Sequence, residues 1–344
     1  MESRDFTGSG SASEESLASK VMRTVWVPWQ RERRLVRERE RIQATRRSAC
    51  LDAGFNHAVV LRHDGGVACW GRNTDDVHDH VGQAPPEGVE GDFVAISAGG
   101  GHSLALRRDG NIACWGMNDD GQAPPDGVAG DFVAIAAGCE HSLALRRNGS
   151  VACWGCNDDG EAPPAGVEGD FVAIAAGGYY SLALRRNGNV ACWGYNDDGQ
   201  APPDGVEGDY VAIAAGCEHS LALRRNGSVA CWGMNDDGQA PPDGVEGDFV
   251  AIAAGNEHSL ALRRNGSVAC WGRNHEGQKF ACWGRNGSGQ APPDGVEGDF
   301  VAIAAGWRHS LALRRDGGVT CWGDNYYGQA PPDGVRGPFK TPEV

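Results

Sequence analysis

No stretch of this 344-residue chain approaches the ~20 consecutive apolar residues that a membrane-spanning helix needs. No membrane insertion is expected. The start does not resemble a secretory signal peptide, which predicts an intracellular protein, cytoplasmic or nuclear. Lysine is scarce, with three residues against 28 arginines, a bias that coding preference alone would explain. There is no catalytic triad, no phosphate-binding loop and no pair of carboxylates set to form a cleft, and no CxxC redox motif is expected. Nucleophilic, phosphoryl-transfer and two-carboxylate hydrolytic chemistries each need one of these sets. No enzymatic activity and no cofactor are therefore expected.

A fixed beat of Trp-Gly is abundant instead. Trp115, Trp154, Trp193, Trp232 and Trp271 stand 39 residues apart, while Trp70 precedes them by 45 and Trp322 follows by 51. Seven tandem copies of one unit thus run from about Ser48 to Lys340, with insertions of 6 and 12 residues in two of them. A period in this range marks a solenoid or a propeller. The domain reading is an N-terminal extension over 1–47 and a repeat domain over 48–344.

The net charge of −15 is unevenly placed: residues 1–47 carry +4, leaving about −19 on the repeats. An acidic body repels nucleic acid and favours a basic partner. Twelve cysteines would suggest a disulfide framework, but seven are copies of one position (Cys69, Cys114, Cys153, Cys192, Cys231, Cys270, Cys321). Copies in different blades lie too far apart to bridge, so they are expected to be free, buried thiols in a reducing compartment.

Within one unit, Phe132–Ala137 is a short apolar run that predicts a strand buried on both faces. His141–Arg147 alternates as a second strand, Asn148-Gly149 supplies a tight hairpin turn, and Val151–Gly155 returns as a third. Pro163-Pro164 allows at most a poor outer edge. Strand direction puts the Ala-Gly-x-x-His corner and the Trp-Gly-x-Asn-Asp-Asp-Gly turn at one end, and the Arg-Arg-Asn-Gly hairpin and Val-Glu-Gly-Asp connection at the other.

The AGxxHSLAL segment, a Gly turn and then VxxWGxNxxGQ resemble the regulator of chromosome condensation repeat superfamily. The short connectors look most like those of β-lactamase inhibitor protein II. The resemblance covers roughly 85% of the chain and implies an all-β, seven-bladed propeller with mainly three-stranded blades. It does not imply one function, because the superfamily includes a nucleotide exchange factor, ubiquitin-ligase modules, a plant UV-B photoreceptor and a secreted enzyme inhibitor.

His57, His102, His141, His219, His258 and His309 share one slot, which holds Tyr180 in the fourth copy. Spread around a ring they cannot converge on one metal ion, so each reads as the hydrogen-bonded anchor of its corner. Two other sets vary between copies. The pair before the His includes Phe55, Glu140, Tyr179, Glu218, Glu257, Trp307 and Arg308; the residue after Trp-Gly includes Arg72 and Tyr195. Variable loops on a rigid scaffold are where binding lives, and aromatics with Arg are typical anchors. These nine residues are the candidate partner-binding set, against neutral drift at exposed positions. Gly306-Trp307-Arg308-His309-Ser310 resembles the photoreceptor's corner, but a light sensor needs neighbouring indoles and only one blade offers it.

Three further segments carry readings. Asp75-Asp76-Val77-His78-Asp79-His80 has the density of a divalent-metal site or of a solvated acidic loop, the latter favoured, so no metal is assigned. ACWGRN occurs twice in the sixth copy, at Ala269–Asn274 and Ala281–Asn286, as a slipped duplication would leave it. Gln30–Arg47 interleaves Arg and Glu as a solvated helix does, and is the one segment suited to nucleic acid. The expected function is a monomeric, non-enzymatic scaffold that binds a basic protein through the variable face. The alternative is an exchange factor for a small GTPase, or a chromatin-associated protein.

Overall fold

A computed structural model describes residues 50–74, 82–272, 289–292 and 294–342, all within one compact unit over 41–344. The described residues form seven separate three-stranded antiparallel sheets, each made of strands consecutive in the chain. In blade 3 these are Phe132–Ala137, His141–Arg146 and Val151–Gly155. An isolated bridge, Val151 to Val167, is all that remains of a fourth strand, because the prolines between them withhold ladder donors. The predicted seven-bladed, all-β propeller is the observed fold.

The second strand is the core of each blade. Leu143 and Leu145 are buried with Val151 and Cys153, and together they pack on Phe171, Ala183 and Trp193 of the next blade. Alanine at 144 and 183 lets neighbouring sheets approach, and leucine and tryptophan fill the wedge between them. The first strand departs from expectation in part. The expectation of burial on both faces holds in blade 7, where five of the six residues of Phe300–Ala305 are buried, but in blade 4 five of the six residues of Phe171–Ala176 are only half-buried. These strands are innermost and their free edges line a central channel of about 350 Å³, walled by Ala175, Ile174 and their copies. Their apolar character serves the channel wall as well as the sheet.

The ring closes through blade 1, which both ends of the chain complete. Its first strand is short, Leu51–Ala53, and lacks the leading Phe, or Tyr in blade 5, of the other copies. Phe339 takes that place: it bridges Arg62 antiparallel, and the Lys340 amide donates to the Leu61 carbonyl at 2.8 Å. In the other blades the pairing of Phe with Arg is intramolecular to the blade, as in Phe132 with Arg146.

One bond network repeats at the blade interfaces. The His102 Nε2 contacts Ser142 Oγ of the next blade at 2.9 Å, and that hydroxyl donates to the Gln122 carbonyl at 2.9 Å. The Trp154 indole N–H donates to the same carbonyl at 2.9 Å. Since the hydroxyl proton is already used, Nε2 must be the protonated nitrogen, and each imidazole is neutral. Burial supports this, holding His102 down to about 3 and His57 and His141 to about 4. The anchoring role expected for the His slot is what the structure shows. Tyr180 fills it in blade 4, donating its hydroxyl to the His219 carbonyl and lying 3.0 Å from the Ser220 hydroxyl, which bonds the Gln200 carbonyl. At the seam the network is incomplete. Trp70 still donates to the Gln329 carbonyl at 3.0 Å, but blade 1 has Ala58 where the others have serine. Both ring nitrogens of His309 are left without a side-chain partner.

Candidate protein-binding face

The corner and the turn after Trp-Gly meet because glycine follows each tryptophan. Gly155 has φ of 101°, and a Cβ there would fall 2.6 Å from the Glu140 carbonyl. With none, Cys156 N–H donates to that carbonyl at 2.9 Å. The same bond joins Arg72 to Asn56 and Tyr195 to Tyr179. The six blades in which both variable sites are described therefore present them side by side.

Phe55 and Trp307 come together edge to face across the seam, with centroids 4.0 Å apart and planes at 81°. Both stand at the channel mouth with Cys139, Cys217 and Asn256. Arg72 lies 4.6 Å from the ring centroid of Tyr327, which makes a T-shaped contact with Tyr326 at 4.8 Å. Tyr326 is 83% exposed and Tyr179 41%; Arg308 is also exposed. The structure thus gathers Phe55 with Trp307, and Arg72 with two tyrosines absent from the candidate set. Their signal was available: the fixed Asp-Asp pair of four other copies is Tyr326-Tyr327 in the seventh.

The surround is acidic. Asp119, Asp120, Asp158, Asp159, Asp197, Asp198 and Asp236 are exposed at the turns, and Tyr195 donates its hydroxyl to Asp197 at 3.1 Å. Burial, then repulsion from Asp120, Glu161 and Asp158, raises the carboxyl of Glu140. Glu218 rises by burial, then by Asp198 and Glu257. Burial and Glu140 push the Tyr179 phenol up to about 12. In all three burial leads, and the neighbouring carboxylates add to it.

The opposite end differs. Arg147 pairs with Asp131 at 3.0 Å, Arg108 with Asp92 at 3.1 Å, and Arg264 with Asp248 at 3.1 Å. In blades 2 to 7 the first arginine of the hairpin lies over a phenylalanine or, in blade 5, a tyrosine, as Arg107 does over Phe93 at 4.9 Å and Arg224 over Tyr210 at 5.9 Å; in blade 1 Arg62 pairs with Asp64 and Glu90. The arginine ring is largely engaged within the molecule.

Among the described residues no three or more His, Cys, Asp or Glu gather as a metal site, and no helix is long and apolar enough to cross a membrane. The blade 1 insertion, the second ACWGRN and residues 1–49 lie outside the described residues.

A ring of near-identical blades with variable corners defines a repeat propeller whose surface loops carry its individuality. The family model for the regulator of chromosome condensation (RCC1) repeat matches seven times, at residues 49–76, 93–122, 132–161, 171–200, 210–239, 249–278 and 300–329. The chain belongs to that repeat family, which comprises protein-interaction and exchange-factor propellers. A search of curated proteins finds no match. Among solved structures, it is similar to the ectodomain of the Physcomitrella patens receptor kinase CR4 (25% identity, TM-score 0.61, 80% of this chain and 73% of that one). It is also similar to the ectodomain of the Arabidopsis thaliana receptor kinase ACR4 (21%, 0.62, 83% and 98%). Prp20p from Saccharomyces cerevisiae follows with 23% identity and a TM-score of 0.54 over 69% of this chain and 73% of its own.

Proposed function

We propose that the protein is a non-enzymatic scaffold whose corner face docks a basic protein partner. The observation that carries this reading is the asymmetry between the two ends. Exposed aromatics and Arg72 cluster at one end among Asp-Asp turns that face solvent, while at the other end the second arginines of the hairpins are bonded to aspartates of the same face. Aromatic anchors ringed by one sign of charge favour affinity at the centre and steering at the rim. Phe55, Trp307, Arg308, Tyr179, Tyr195 and Arg72 are the anchors, joined by Tyr326 and Tyr327; Glu140, Glu218 and Glu257 belong to the acidic surround. Of the family's structures, that of Prp20p is described with binding to Gsp1p and histones. A cytoplasmic or nuclear monomer suits the free thiols.

Affinity capture with the full chain tests this, followed by kinetics on the captured protein. Neutralising the Asp-Asp pairs at 119–120, 158–159, 197–198 and 236–237 should lower the association rate, most at low salt. Loss of binding on changing Arg146 and Arg147, with these variants unaffected, would move the site to the other face. A small GTPase that exchanges nucleotide faster with the protein present would favour the exchange-factor reading.

A further inference from the structure

Cys139 and Cys217 hold the same corner slot in blades 3 and 5, with blade 4 between them. The blade 4 slot is Gly178, where a Cβ would lie 2.6 Å from the Cys217 carbonyl and 3.2 Å from its Sγ. Without one, the Gly178 amide donates to that carbonyl at 3.1 Å, and the Cys139 amide donates to the Gly177 carbonyl at 3.3 Å. The backbones of three blades are thereby drawn together at the channel mouth, where both cysteines line one small cavity. Cys139 is buried and Cys217 half-buried, so the second is the one more open to an incoming reagent. The two thiols act on each other, Cys139 lowering Cys217 and Cys217 raising Cys139. One sulfur is set up as attacking thiolate and the other as its proton-holding neighbour.

We propose that Cys139 and Cys217 form a reversible disulfide by exchange with a low-molecular-weight disulfide. The Cys217 thiolate attacks one sulfur of the small disulfide, whose S–S bond breaks and releases a small thiolate. Cys139 gives up its proton to that thiolate and attacks the Cys217 sulfur of the mixed disulfide, expelling the second small thiolate. The protein pair loses two electrons and the small disulfide gains them as two thiols. The new bond needs the sulfurs to close to ~2.0 Å. It would tie blade 3 to blade 5 over blade 4 and fix the corners beside Glu140, Tyr179 and Glu218.

A rival pair exists in Cys153-Trp154-Gly155-Cys156, a CxxC spacing that the repeat reading passes over. The structure sets these thiols apart: Cys153 is packed in the interface between blades 3 and 4, whereas Cys156 is hydrogen-bonded to Glu161. Burial raises both, to about 12 and about 11.

The test treats the full-length reduced protein with oxidised glutathione, then blocks remaining thiols, digests it and maps the links by mass spectrometry. The expected result is an intact protein short of two hydrogens, with Cys139 and Cys217 peptides joined. Cys139→Ser should keep glutathione on Cys217, and Cys217→Ser should leave Cys139 unmodified. A lasting glutathione adduct on the wild type, a Cys153–Cys156 link or no reaction would each overturn the proposal. The wild-type map alone decides connectivity, so a misfolded variant does not remove the test.

Discussion

Trp307 of the last blade rests edge-on against Phe55 of the first, with ring centroids 4.0 Å apart. The pair joins the last blade to the first across the seam where the two ends of the repeat region meet, and it sits on the face proposed to bind. Trp307 thus has a structural partner as well as a candidate ligand.

The two roles separate by magnitude. Trp307→Ala should shorten the lifetime of the complex and cost about 2 kcal/mol in affinity, with little change in association rate. The lost aromatic contact should lower stability by only ~0.5–1.5 kcal/mol. Surface plasmon resonance and thermal melting on the same samples check both. A melting change with unaltered dissociation would leave Trp307 as a seam residue alone.

His309 offers a stabilising change. Ala58→Ser supplies the hydroxyl present at the other interfaces and should add about 1 kcal/mol. The reverse deletion, Ser142→Ala, strands His102 and should cost ~1–3 kcal/mol. Urea midpoints read both, and an Ala58→Ser protein no more stable than the wild type would count against the network as a source of stability.

Acid should unfold the protein unusually steeply. The six corner histidines have ordinary values of 6.5, lowered by burial to about 3 or 4 in the fold. As pH falls below 6.5 the unfolded chain takes up protons that the folded one refuses. Their contribution is therefore complete above about pH 7 and is lost from there toward pH 4. Asp52 has the opposite sign. Burial raises it to about 6, against bonds from Ala98, Ala53 and Ser97, so it favours the fold at low pH and loses that as pH rises through 6. Six groups outweigh one. His141→Tyr, the residue blade 4 already uses, should reduce the slope by about 1.4 kcal/mol per pH unit. Equal urea midpoints at pH 7 and pH 5 would contradict this.

The repeated thiols should be silent in the native state. Burial pushes Cys69, Cys153, Cys192, Cys231 and Cys321 up to about 12. Cys114, expected to be buried, is only half-buried, yet its thiol is raised equally. Thiol counting by intact mass should find these six only after denaturation. Native labelling of Cys192 or Cys231 would show that the blades open.

The scaffold was legible because it is local and repeated. Asn148-Gly149 marks the hairpin, His141 the corner and Trp154 the third strand, and seven copies leave no room for another period. Curvature was not legible. That Ala175 faces a channel, and that Cys139 reaches Cys217 two repeats away, follow from the small radius at the axis. Tyr326 and Tyr327 are obscured for a different reason: they stand in a turn whose Asp-Asp pair repeats unchanged in four other copies and so reads as scaffold.

Closure by Phe339 and Lys340 has a consequence for assembly. The Lys340–Leu61 bond is backbone to backbone and has no means of distinguishing its own chain from another. Tethering sets the choice, since ends held near each other experience an effective concentration of about millimolar. Dilute chains would therefore close on themselves, and refolding at concentrations near that value would link them end to end into open strings.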